Sequence, residues 1–236
     1  MKIGLVLVPG LLCDEALWAS QLAALSDVAR CWVAGPLLHN SMAGMAQAVL
    51  RDAPFERFAL AGLSMGGYVC MEIMRQAPQR VTALALLDTR AAADTAAETQ
   101  RRYELIRLAQ RSRGFQPVTR LMMPLLVHRS RQDDESLLAL VRTMAERVGI
   151  EQYVQQQHAI ISREDSRGVL KNVRIPGLVL CGEDDALTPL ADHREMAGLI
   201  PAAELVVIER CGHLSALECP QAVSAALRHW LTRVPT

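Results

Sequence analysis

The chain has 236 residues, of which 51% are hydrophobic and 21% charged, a balance that excludes a disordered polyelectrolyte and supports one well-buried domain. Lysine plus arginine (25) cancels aspartate plus glutamate (25), so neither a broad nucleic-acid surface nor an acidic-membrane surface is expected. Nearly all the positive charge is arginine, Lys2 and Lys171 being the only lysines.

The first element is a strand over 3–8, closed by Pro9-Gly10; its apolar run is too short for a signal-peptide core. A helix over 15–25 follows, with Trp18, Leu22 and Leu25 on its core face, then a strand over 28–34 and a helix over 41–51. The next strand, 57–62, runs into Gly62-Leu63-Ser64-Met65-Gly66, and from Met65 to Ala77 the chain is apolar enough for a buried helix ending before Pro78. A serine between two glycines at a strand-to-helix corner reads as a nucleophile elbow. The corner strains the serine backbone, and side chains two residues away on either side would collide. It also presents the Met65 N–H at a helix N-terminus, where an anionic oxygen is stabilised. A strand over 81–87 completes this half.

Between about 92 and 170 the alternation stops and only helical periodicity remains: Ala92–Arg113, Gln116–Val127, Asp133–Val148 and Glu151–Ser162, with Gly114, Pro117 and Gly149 as punctuation. Twelve arginines face ten acids in this stretch, too even a balance to assign an anionic substrate. The chain then resumes with strands over 175–181 and 204–209 and helices over 189–199 and 220–232. In the last helix, Ala222, Ala226 and Trp230 form one row and Val223 and Leu227 the next. Strands apolar on both faces, each followed by a helix, predict an α/β fold. Its doubly wound, mainly parallel sheet should have about six strands, with an all-helical cap inserted after the strand ending near Asp88. The expected division is a core of 1–91 and 171–236 and a cap of 92–170.

Ligands meet a parallel sheet at the carboxyl ends of its strands. There the chain carries Gly10-Leu11-Leu12, Ser64, the loop Gly182-Glu183-Asp184-Asp185-Ala186-Leu187-Thr188-Pro189, and Cys211-Gly212-His213-Leu214. A serine, a carboxylate and a histidine in the order Ser…Asp…His suit nucleophilic catalysis. Ser64 needs a base, His213 titrates near neutrality, and a carboxylate would orient the imidazole. The backbone N–H groups of Leu11 and Met65 are the expected oxyanion donors.

These pieces resemble the α/β-hydrolase superfamily, in particular its small bacterial esterase-like members, over nearly the whole length. The matching segments are Val8-Pro9-Gly10-Leu11-Leu12, Gly62 to Gly67, Gly182-Glu183-Asp184-Asp185 through Pro189, and Gly212-His213 with Glu218 and Pro220; Ser162 to Arg167 resembles the return from cap to core. The family often has His-Gly where this chain has Pro9-Gly10, and most members begin with an antiparallel hairpin that is missing here. The resemblance places the acid three residues after Gly182, which selects Asp185 over Asp184. Some members use the position of Asp88; here a turn or cap role before the helical segment is expected. Of the other histidines, His39 and His158 read as surface positions, and His128, His193 and His229 lack catalytic partners.

The expected activity is serine hydrolysis of a small ester, thioester or lactone, with a carboxylesterase as the modal form. Two alternatives stay open: a carbon–carbon bond hydrolase or cofactor-free perhydrolase using the same triad, and a ligand-binding sensor on a hydrolase scaffold. Leu12, Met123, Leu126 and Leu214 are expected to line an apolar substrate pocket. No cofactor and no metal is expected, since no His/Cys/Asp cluster has ligand spacing. The six cysteines lack C-x-x-C spacing and should be reduced thiols. The expectation is a cytoplasmic protein acting on a small molecule, without nucleic acid or membrane insertion; oligomeric state is unreadable.

Overall fold

Alternating apolar side chains on β1 (Ile3–Val8) point to opposite faces: Leu5 and Leu7 into one layer of core, Val6 and Val8 into the other. The same two-sided burial recurs on β3 (Phe58–Leu63), β4 (Val81–Leu87) and β5 (Gly177–Gly182), whose residues are almost entirely buried. Strands β2 (Ala29–Val33) and β6 (Ala203–Ile208) retain partly exposed residues because they are the edges. In the computed structural model, which describes residues 2–112 and 115–234, the six strands form an all-parallel sheet in the order β2-β1-β3-β4-β5-β6. The point between β1 and β3, where the order of adding strands reverses, is the topological switch at which such sheets bind ligands.

Helices cover both faces. On one, α1 (Ala19–Leu25) and α11 (Pro220–Leu231) pack with Leu17, Trp18, Leu227 and Trp230 around Leu5, Leu7, Ala59 and Ala61. On the other, α2 (Met42–Asp52), α3 (Met65–Gln76) and α9 (Leu190–Leu199) bury Met45, Val69, Ile73 and Met196 against Leu60, Leu84 and Val179. Truncating one such leucine to alanine costs about 2–5 kcal/mol, which is why this layer holds the strand ends rigidly. The buried row of α11 is Val223, Leu227, Trp230 and Leu231; Ala222 is exposed, so the stripe is rotated from the expected one.

The departures from the expected boundaries are local. Residues 15–25 divide into a 3₁₀ turn, Glu15–Trp18, whose start is capped by the Asp14 carboxylate accepting from the Ala16 N–H (2.9 Å), and α1. Strand β5 starts at Gly177, after Pro176, which has no amide hydrogen to donate. Between β4 and β5 lie α4 (Ala96–Ser112), α5 (Gln116–Leu126), α6 (Glu135–Val148), α7 (Ile150–Ile161) and the short α8 (Arg167–Leu170). Helix α4 starts four residues later than expected because Thr95 and Glu98 form a capping box: the Thr95 N–H and hydroxyl donate to Glu98 Oε2 (both 2.8 Å) and the Glu98 N–H donates to Thr95 Oγ1 (3.3 Å). The expected helix end at Arg113 and the break at Gly114 lie outside the described residues. Gly149, at φ 83°, separates α6 from α7, a conformation a side chain would resist. The last short helix, α10 (Ser215–Glu218), precedes α11.

Leu105, Ala109, Phe115, Val118, Ala145 and Tyr153 make a small core within the inserted helices, and Leu11 and Leu12 of the β1 loop pack against it. The same contact zone carries a hydrogen bond from Leu12 N–H to Gln156 Oε1 (3.1 Å) and an ion pair of Arg147 with Asp14 (2.6 Å).

Candidate active site

Ser64 stands at the corner between β3 and α3 with φ 56° and ψ −117°, a strained conformation for a residue with a side chain. The strain is held by backbone bonds: Ser64 N–H donates to Leu87 C=O (2.9 Å), and Gly67 N–H donates to Ser64 C=O (2.9 Å). The flanking glycines are obligatory. A Cβ on Gly62 would fall against the Gly66 carbonyl, and one on Gly66 against the Val8 carbonyl.

His213 arrives from the loop after β6, with Nε2 2.8 Å from Ser64 Oγ. Its Nδ1 lies 2.9 and 3.0 Å from the two oxygens of Asp185, which follows β5. The Asp185 carboxylate is itself fixed. Oδ1 accepts from the N–H groups of Leu187 (2.9 Å) and Thr188 (3.0 Å), and Oδ2 accepts from the Thr188 hydroxyl (2.6 Å). His213 and Asp185 are buried and Ser64 half-buried, so the hydroxyl is the member open to a ligand. Burial raises the Asp185 carboxyl, but the His213 charge and the donated hydrogen bonds outweigh it, and the group titrates below its ordinary value. Burial lowers His213, but the neighbouring Asp185 charge and hydrogen bond win, and the imidazole titrates above its ordinary value. Asp184 is exposed and meets His128 Nε2 at 3.4 Å, apart from the His213 imidazole.

Buried polar residues outside the Ser64, His213 and Asp185 set hold this arrangement. Asp88 is fully buried, at φ 45°. It accepts from Gly182 N–H (3.1 Å), Ser215 N–H (3.3 Å) and the Ser215 hydroxyl (2.5 Å), tying the end of β4 to β5 and to the loop that carries His213. Burial, reinforced by the Asp185 charge, pushes its carboxyl well above the ordinary range. This role is larger than the turn or cap expected of it. Glu218 accepts from Gly212 N–H (3.0 Å) and His128 N–H (2.7 Å), pinning the same loop from the other side. His193, also fully buried, accepts at Nε2 from Thr89 N–H (3.0 Å), and the Thr89 hydroxyl donates to the Ser64 carbonyl (2.8 Å). Thr188 carried a local signal: an acid followed three residues later by threonine and then proline is a self-capped turn.

Above Ser64 lies a cavity of about 300 Å³. Leu12, Leu126 and Leu214 line it, together with Gly10 and Leu11. Met123 does not. It packs into the core with Val127 and Leu137, while Met122 and Leu125 line the cavity. Helical spacing explains the exchange: Val118, Met122 and Leu125 share the face of α5 that turns toward the cavity, and Met123 lies about 100° further round. His39 lies beside Gly44 on α2, outside the cavity lining. The six cysteines are free thiols.

The chain belongs to the alpha/beta hydrolase fold family, which it matches over residues 5–220. It is 27% identical over 231 residues to the dihydrolipoyllysine-residue acetyltransferase component of the acetoin cleaving system of Pseudomonas putida, covering 95% of this chain but 58% of that protein. It is 27% identical over 179 residues to the pimeloyl-[acyl-carrier protein] methyl ester esterase of Nitrosomonas europaea, covering 73% of this chain and 71% of that one. A thermophilic esterase from Thermogutta terrifontis superposes with a TM-score of 0.91 at 28% identity, covering all of this chain and 92% of the other. Two of these relatives are named as esterases. No helix among the described residues is long and apolar enough to cross a membrane.

Proposed function

We propose that the protein is a carboxylesterase-type serine hydrolase that cleaves a small ester, thioester or lactone through an acyl-enzyme. The observation that carries this reading is the unbroken hydrogen-bonded path from Ser64 Oγ through His213 to Asp185, opening on an apolar cavity. Ser64 Oγ attacks the carbonyl carbon as His213 Nε2 takes its proton. The Leu11 and Met65 N–H groups receive the negative oxygen; one such donor is worth about 3–4 kcal/mol. His213 returns the proton to the departing alcohol or thiol, and then activates the water that releases the acid. Asp185, held by Thr188, keeps Nδ1–H directed away from the serine and stabilises the imidazolium.

Residues 92–170 are proposed to act as the cap over a core of 1–91 and 171–236, since α5 supplies apolar wall above the serine. The fluorophosphonate reaction tests the assignment: the intact protein should be labelled at the peptide containing Ser64, and S64A should not. Labelling of another residue, or none, would overturn it.

A further inference from the structure

The cavity lining is not wholly apolar. Arg90, Glu98, Arg101 and Arg102 line it together with Leu12, Val118, Met122 and Leu126. The acids around these arginines are already engaged. The buried Asp94 carboxylate pairs with Arg90 (2.7 Å), Arg102 (2.5 Å) and Arg163 (2.9 Å), and Glu98 pairs with Arg90 (2.6 Å) while capping α4. Asp192 also lies close enough to Arg90 for their charges to interact. Arg101 makes no ion pair or hydrogen bond among the described residues, although it lines the cavity, and the buried Nε of Arg90 on the same wall also lacks an acceptor.

We propose that Arg101 is a specificity-determining residue that binds a carboxylate at the far end of the substrate. The preferred substrates are then esters or thioesters of acids with a second, terminal carboxylate, their methylenes lying along the apolar wall. This rests on the hydrolase reading above. A guanidinium presents a planar set of donors that match a carboxylate in pairs, and a charge-assisted bond in a partly dry cleft exceeds one in open water. A neutral chain of the same length gains the apolar contacts and leaves those donors to solvent. Arg101 itself is exposed on α4, so substituting it removes no buried contact.

The test compares mono-p-nitrophenyl adipate with p-nitrophenyl hexanoate on the intact protein and on R101Q and R101K. The kcat/KM ratio of the anionic over the neutral ester should be about tenfold in the wild type, carried mainly by KM, and should fall about tenfold in R101Q with partial recovery in R101K. A wild-type ratio near one, or a ratio unchanged in R101Q, overturns the proposal. If neither ester is hydrolysed, the hydrolase reading is what fails. Calorimetric titration with adipate then still decides this one: binding weakened in R101Q supports it, and identical or absent binding in both proteins overturns it.

Discussion

Gln156, on α7, accepts a hydrogen bond from the Leu12 backbone at 3.1 Å across 144 residues of sequence, and so ties the inserted helices to the loop next to Ser64. Leu12 is at φ 59°, and Gln156 is buried. The bond therefore holds the strained turn next to Leu11, whose N–H is one of the two proposed oxyanion donors. Gln156 acts as a positioning residue. Q156L should lower stability by about 1–3 kcal/mol, the cost of leaving a partly buried N–H unsatisfied. It should also lower kcat more than it raises KM, because the oxyanion forms only after the substrate is bound. Steady-state kinetics with p-nitrophenyl butyrate alongside thermal denaturation check both; an unchanged kcat would dissociate Gln156 from the oxyanion loop.

S64A and H213A should each lower turnover of p-nitrophenyl butyrate by about 10⁴-fold or more. D185N should be severely damaging, since it presents the wrong donor and acceptor pattern to His213 Nδ1. D184N should be mild, because Asp184 is exposed and its carboxylate faces His128 rather than His213. Equal losses in D184N and D185N would remove the distinction between the two acids.

The pH profile follows from the buried pair. Burial lowers His213, yet Asp185 more than compensates, so the folded imidazole binds its proton more tightly than a free one, whose ordinary value is 6.5. The base must be unprotonated to accept the serine proton, so kcat/KM should fall on acidification with a midpoint above 6.5. In D185N the supporting charge is gone, burial prevails, and the midpoint should drop below the wild-type value. The two proteins' pH–rate profiles, or the His213 proton resonance, distinguish these outcomes.

His193 shifts the other way. Burial pushes it down from 6.5 to about 4, while its Nδ1 faces the Pro189 carbonyl and its Nε2 accepts from Thr89. Between these values the unfolded chain binds a proton that the folded one does not, so stability is lost as pH falls from about 6.5 towards 4. The loss approaches about 3 kcal/mol at the low end. H193Q lacks this titration, and the wild-type advantage over it should shrink by about that amount between pH 7 and pH 4. Urea denaturation across the range measures it; a constant difference would place the titration elsewhere.

T89V removes the hydroxyl that donates to the Ser64 carbonyl, and the shape is otherwise retained. It should cost about 1 kcal/mol in stability. Fluorophosphonate labelling should also slow, because the strained elbow loses one of its restraints. G67A is the harsher variant: its methyl would lie 2.5 Å from Thr89 Oγ1. A labelling rate unaltered in T89V would show that the backbone bonds alone suffice.

Much of the fold could be read along the chain because its signals are short-range. Apolar residues on both faces mark β3, β4 and β5 as central strands, and the glycines at 62 and 66 are sterically required wherever the elbow is built. The helical run between β4 and β5 is equally local. Register within it was harder: Met123 and Met122 are neighbours in sequence, and only the packing of α5 determines which one faces the cavity. The polarity of Asp88 was visible, but its partners at 182 and 215 were not.

By itself, then, the sequence determined the alternation of strands and helices, the serine corner and the chain order of serine, acid and histidine. Hydrophobic periodicity and backbone sterics act over a few residues and need no distant partner. Tertiary structure alone decided which buried polar groups satisfy one another: Gln156 with Leu12, Asp88 with Ser215, His193 with Thr89. It also divided the arginines of residues 92–170. Their near-neutral total gave no hint that Arg101 and Arg102 would line the cavity, because a charge count averages over surfaces that folding turns in different directions.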